Sequence, residues 1–245
     1  MGVDGDLLKQ YTMATWGYKQ GESVSLMIHL GVRLGLYEAL DGAGPVTPGD
    51  LAAATGLHER WLREWLRSQA AAGLMVSEEG ETFELQTEAA MVLARKGTPT
   101  YAGGVFSHLR SPKVADGLAE AFRTGLGLTY DGQGEGSEQH VEAMLAPMAR
   151  ALLVPKVIPA LDGVADRLVA GAKVVDVGCG TGLALELMAA EWPDCTFEGY
   201  DVSERAVSVA RERFEGVDNV TIHLAGGEDV PPTADVDLMM TLDCL

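Results

Sequence analysis

The sequence predicts an α/β protein in two parts: a mostly helical N-terminal winged-helix domain, then the first four strands of a Rossmann-like, doubly wound parallel sheet. Three observations predict it. A helix–turn–helix pattern over residues 47–72 runs at once into a short hairpin, the order of a winged helix. From residue 172 onward, short apolar runs alternate with helical stretches, which argues for parallel strands joined by crossover helices. The first of those runs leads directly into three glycines at alternate positions, Gly178, Gly180 and Gly182.

Taken in order, residues 23–40 place Leu26, Leu30, Leu34 and Tyr37 at helical spacing. Thr47, Pro48 and Asp50 form a helix start, with Thr47 as N-cap, Pro48 in the first turn and Asp50 three residues after the cap. This short helix runs to Ala54 and turns at Gly56. A second helix over 58–72 stops at Gly73. Two short strands then flank a turn holding Gly80. Residues 125–136 contain Gly125, Gly127, Gly132, Gly134 and Gly136 and read as a flexible connection or lid. An apolar helix is expected from about 140 to 160, interrupted by Pro147, Pro155 and Pro159. Strands are expected at 172–177, 196–200, 220–224 and 236–242, and helices at 183–191 and 203–214. This divides the chain into a winged-helix domain (1–95), a helical and glycine-rich connecting region (96–150) and an incomplete Rossmann-like domain (151–245).

Composition narrows the function. Of 245 residues, 47% are hydrophobic and 22% charged, the balance of a folded globular chain. The net charge of −18 opposes nucleic acid and anionic membranes and suits cationic ligands. Cys179, Cys195 and Cys244 form neither a disulfide framework nor a paired metal motif, so no metal is expected and the default setting is reducing and cytoplasmic. The N-terminus has no apolar run for a secretory signal, Asp6 breaks a myristoylation pattern, and no stretch is apolar enough to span a membrane.

The glycine loop carries the chemistry. A dinucleotide loop wants Gly or Ala at position 183, where this chain has Leu183, and a P-loop wants a lysine that does not follow Gly182. The loop offers no cation for phosphate. It offers acids: Asp176, two residues before Gly178, and Asp201, at the end of the second strand of the sheet, where a carboxylate accepts ribose hydroxyls. Asp176 is placed to attract an ammonium group, and the helix N-terminus after Gly182 suits a carboxylate. Ammonium, carboxylate and ribose without phosphate describe S-adenosylmethionine.

At these residues the sequence resembles the class I S-adenosylmethionine-dependent methyltransferases, DVGCGTG (Asp176–Gly182) matching the first motif of that family and Asp201 the second. The segments HLGVRLGLYEAL and DLAAATGLHERWLREWLRSQAAAGL are similar to the winged-helix domain of a methyltransferase subgroup, in which that domain dimerises and covers the substrate pocket. The resemblance implies that Asp176, Gly178, Gly180 and Gly182 contact the methionine part, with Cys179 and Thr181 lining the loop. It implies Asp201 on the ribose with Val202 beside the adenine, and Thr241 and Asp243 at the cofactor edge. After the third strand of the sheet, Gly226 and Gly227 stand where the family often has an acid for the adenine amino group, which leaves Glu228, Asp229 or the backbone to take that contact. The family sheet has seven strands, so the sequence is expected to be cut short after its fourth.

The resulting expectation is methyl transfer to an oxygen, nitrogen or carbon of a small-molecule acceptor, by a homodimer held through the N-terminal domain. The rival is a winged-helix regulator that binds S-adenosylmethionine without catalysis. DNA binding is disfavoured. Residues 1–95 hold 13 acidic and 7 basic residues, net −6, and the hairpin carries Glu78, Glu79, Glu81 and Glu84 where a DNA-binding wing wants lysine or arginine. Trp61 and Trp65, one helical turn apart, are expected in the core, with a dimer surface as the alternative. Tyr130 is a candidate cofactor contact. No general base is named, His108 and His140 being the candidates.

Overall fold

The computed structural model describes residues 2–232 and 235–242, so Asp243 and Cys244 lie outside the described residues. The chain divides into two compact units, 1–109 and 110–245. Residues 96–109 therefore group with the winged helix, and the rest of the sequence-defined connecting region groups with the sheet.

In the first unit α1 spans Gly5–Arg33, longer at its start than the periodicity predicts. The Asp4 side chain caps it by accepting the Asp6 and Leu7 backbone N–H groups. The helix does not continue to residue 40. It breaks at Leu34–Gly35, and α2 follows at Leu36–Leu40. The break redirects the apolar stripe: Leu26 and Leu34 are exposed, whereas Ile28, Leu36, Tyr37 and Leu40 are buried. Helices α3 (Pro48–Thr55) and α4 (Glu59–Ala71) form the helix–turn–helix, and Thr47 and Asp50 make a reciprocal capping box. Strands β1 (Val76–Glu78) and β2 (Thr82–Glu84) pair antiparallel, with Val46 bridging Phe83 on the other side of β2. Helix α5 (Thr87–Leu93) closes the unit.

The two tryptophans separate. Trp65 is buried, meets the Tyr37 ring edge-on at 5.2 Å and donates its indole N–H to the Met27 carbonyl at 2.8 Å. Trp61 is 71% exposed, contrary to the expectation that both enter the core. The buried stripe of α4 is Leu62, Trp65, Leu66 and Gln69, and Trp61 lies one residue off it.

In the second unit, α6 (Pro112–Thr124) and α7 (Ser137–Leu152) precede the sheet. After α7 the chain runs through a π-helical turn (Leu153–Val157), a 3₁₀ turn (Ile158–Ala160) and α8 (Val164–Val169). The predicted helix to residue 160 thus ends at 152, just before the prolines at 155 and 159. Among the described residues four parallel strands follow: β3 (Lys173–Val177), β4 (Thr196–Asp201), β5 (Val220–Leu224) and β6 (Leu238–Met240), in the order β5-β4-β3-β6. Crossover helices α9 (Leu183–Glu191) and α10 (Glu204–Arg213) connect the first three. Leu185, Met188, Phe197 and Val174 are fully buried in the core beneath them, each contributing on the order of 1.5–3 kcal/mol of burial. The strand order changes direction between β3 and β6, and a crevice opens at the C-terminal ends of such strands.

Candidate active site

The glycine loop is built from the ends of β3 and β4. Gly178 and Cys179 both donate backbone N–H groups to the Tyr200 carbonyl, at 2.7 and 3.0 Å. Gly180 N–H donates to Asp201 Oδ2 at 2.8 Å, and Ser203 N–H donates to Asp201 Oδ1 at 2.8 Å. Asp201 therefore ties the loop by Oδ2 and the start of α10 by Oδ1, each oxygen keeping a lone pair for a ligand hydroxyl. Two glycines serve different ends. Gly182 caps α9 at φ +83°, and a Cβ there would meet Phe214 Cε2 at 2.6 Å, so close helix packing excludes any side chain. Gly180, at φ +55°, has nothing of the described residues within 4 Å of a Cβ position, leaving room for a ligand to approach the backbone.

Asp176 sits behind this loop, 2% exposed, and its Oδ1 is buried without a hydrogen-bond partner among the described residues. Burial, then the neighbouring negative charge of Asp201, pushes its carboxyl up to about 7. A buried, unsatisfied carboxyl is costly unless a ligand completes it. A cationic donor such as an ammonium group would complete it. Burial, then the charges of Asp176 and Asp201, raise the Cys179 thiol well above its ordinary range, which disfavours the thiolate.

These residues open onto a cavity of about 790 Å³. Asp176, Gly178, Cys179, Gly180, Thr181, Asp201, Val202, Gly226, Gly227 and Thr241 all line it, as does Tyr130. Gly182 stands behind the wall as the helix cap. Glu228 is exposed and does not line the cavity, and Asp229 is turned back on its own turn, accepting the Gly226 N–H at 3.1 Å. Of the groups left open for the adenine after β5, the backbone of 225–227 is the one on the wall. His140 is not on the wall, and His108 belongs to the first unit.

Periodicity alone does not reveal the opposite wall. Val141, Leu145, Met148 and Leu152 of α7, with Val157 of the π-helical turn, make it apolar. Glu138 and Glu142, one turn apart on α7, face the same cavity. Glu142 accepts the Thr181 hydroxyl at 2.5 Å and the Arg213 guanidinium at 2.6 Å, so α7 is bonded to the glycine loop itself. Glu138 accepts from Arg205 at 3.3 Å. The glycine-rich segment before α7 is also anchored, its Asp131 accepting the Ser203 hydroxyl at 2.5 Å.

Comparison with known proteins agrees with this architecture. Residues 22–95 match the Rv2258c-like winged HTH domain family, and residues 174–245 match a methyltransferase domain family. A trans-aconitate 2-methyltransferase of Methylobacterium nodulans is 39% identical over 65 residues, which are 26% of this chain and 25% of that protein. The chain thus aligns with about a quarter of the length of that relative. Among solved structures, the mitomycin 7-O-methyltransferase superposes with a TM-score of 0.66 at 23% identity, covering 98% of this chain and 73% of the other. Human N-acetylserotonin methyltransferase, in complex with S-adenosylmethionine, gives 0.63 at 18% identity, covering 98% and 72%. By these matches, a winged-HTH-like segment at residues 22–95 is followed by a methyltransferase-like segment at residues 174–245.

Proposed function

We propose that this chain transfers the methyl group of S-adenosylmethionine to an oxygen of a small-molecule acceptor, with the cofactor held at the glycine loop. The observation that carries the reading is Asp176: a buried carboxyl with no donor at one oxygen among the described residues, on the wall of a large cavity at the strand ends. The assignment of oxygen leans on the O-methyltransferase among the fold neighbours.

Bound there, S-adenosylmethionine supplies an electrophilic methyl on a sulfonium. Asp176 holds the cationic end, and the N-terminus of α9 receives the carboxylate. Asp201 offers its remaining lone pairs to the ribose hydroxyls, and the 225–227 backbone faces the adenine. The apolar face of α7 excludes water from the acceptor side. A methyl transfer that neutralises a sulfonium gains from a dry cavity and from alignment of the reacting atoms. Glu138 and Glu142 are engaged by arginines, which makes them parts of the frame. The proposal extends to self-association through the N-terminal unit, where Tyr11, Trp16 and Trp61 are more than 60% exposed.

The test is methyl transfer from radiolabelled S-adenosylmethionine to a panel of hydroxylated small molecules, using the full chain and Asp176→Ala. Transfer by the full chain that the variant loses supports the reading. Equal transfer by both removes Asp176 from it.

A further inference from the structure

We propose that Arg205 is a positioning residue of the cofactor cavity, acting as the clasp that holds the glycine-rich segment and its Tyr130 against the cavity mouth. The inference rests on the cofactor reading above and adds to it a residue that does not itself line the cavity.

The segment from Tyr130 to Glu138 is rich in glycine, and such a segment costs considerable entropy to hold in one conformation. It is nevertheless tied down at both ends of a short 3₁₀ turn. The Arg205 guanidinium donates through Nη2 to the Asp131 carbonyl at 2.6 Å and the Gly134 carbonyl at 2.9 Å. Through Nε it reaches Glu138 Oε2 at 3.3 Å, at the start of α7. The same segment answers with Asp131, which accepts the Ser203 hydroxyl at 2.5 Å and the Glu204 backbone N–H at 3.2 Å, completing the first turn of α10. The attachment is reciprocal: α10 supplies the arginine, and the segment supplies the carboxylate that α10 needs at its positive end.

This geometry explains how a mobile composition yields a fixed wall. Tyr130 and Glu138, at the two ends of the clasped stretch, both line the cavity. The planar fork of Arg205 reaches three acceptors at once, which a lysine cannot reproduce. Loss of the fork leaves the segment held through the Asp131 side chain by Ser203 and Glu204, loosens the stretch between Tyr130 and Glu138 that lines the cavity, and lets a bound cofactor escape faster. Arg205 thus acts on the cofactor through the segment and touches none of the reacting atoms.

The experiment is a double-mutant cycle on the full chain, with S-adenosylhomocysteine as the probe. Its dissociation rate is measured by displacement of radiolabelled ligand for wild type, Arg205→Gln, Tyr130→Ala and the pair. The clasp predicts that Arg205→Gln dissociates about tenfold faster, the loss of one charge-assisted contact set, and that Tyr130→Ala dissociates at least as fast, because it removes the side chain the clasp positions. It also predicts that the pair is no faster than the quicker single variant, because Arg205 acts through Tyr130. An unchanged rate in Arg205→Gln overturns the proposal, and so does a pair whose effect is the product of the two. If Arg205→Gln does not fold, Arg205→Lys decides, with a rate between wild type and Tyr130→Ala expected and a wild-type rate contradicting. Failure of wild type to bind at all would overturn the cofactor reading and the clasp with it. Binding by wild type with an indifferent Arg205 would overturn the clasp alone.

Discussion

The Gly180 backbone N–H donates to Asp201 Oδ2 at 2.8 Å, so the second acid of the site is also the strut that shapes the loop in front of the first. One carboxylate thereby couples the fold of the loop to the ligand it is proposed to hold. Asp201→Ala should lose both functions. Cofactor affinity is expected to fall by about 1–3 kcal/mol, the worth of hydrogen bonds to a charged group. The melting temperature without cofactor should fall as well, because Gly180 N–H and Ser203 N–H lose their acceptor. Calorimetry and thermal melts of one variant check both halves.

Cofactor affinity should rise with pH through neutrality. Burial and Asp201 hold the Asp176 carboxyl at about 7, so below that value it is protonated and cannot pair with a cation. Affinity should then drop by up to about tenfold per pH unit on the acid side and level off above. The stability of the ligand-free chain runs the other way. The folded state keeps a proton that the unfolded state gives up, so this group contributes stability at low pH that is lost as pH rises through about 7. Titrations between pH 6 and 8 on wild type and Asp176→Asn test the sign, and the variant should be flat.

Gly182 and Gly180 should respond differently to alanine. At Gly182 both the positive φ and the Phe214 ring oppose a methyl group, so Gly182→Ala should cost about 1–3 kcal/mol of stability. At Gly180 the space is open and only the backbone is strained, so Gly180→Ala should melt closer to wild type while binding cofactor less well. Equal melting losses in the two would contradict the division of roles between packing and ligand approach.

Much of the sheet was legible because its signals are local. Alternating apolar runs and helices gave four strands within a few residues of their observed ends, and Thr47 and Asp50 announced the α3 capping box. What failed was information that sequence neighbours do not carry. The start of α1 is exposed on all sides, so no apolar stripe marks it. Trp61 and Trp65 share a helical spacing, but only the latter lies on the face that Tyr37 covers. In the site, Asp176 and Asp201 stood out beside the glycines, whereas Glu138 and Glu142 did not. Their meaning comes from Arg205 and Arg213, 67 and 71 residues further along the chain. Glu228 suggested itself by position after β5, yet its backbone path carries it off the cavity wall.

The proposed self-association would use the exposed apolar side chains of α1 and α4. Replacing Tyr11, Trp16 and Trp61 together by serine should shift the chain towards monomer in light scattering without lowering its melting temperature, since none of the three is buried. A lower melting temperature at an unchanged mass would show that these residues serve the fold of the monomer instead.

The central claim is that the glycine loop and Asp176 hold S-adenosylmethionine, and calorimetric titration of the full chain tests it most directly. Wild type should bind S-adenosylmethionine and S-adenosylhomocysteine at one site per chain. Gly180→Val, which places a branched side chain where the ligand must approach the backbone, should abolish the heat of binding while the protein still melts cooperatively. Binding by Gly180→Val with wild-type affinity, or no binding by wild type, would contradict the account.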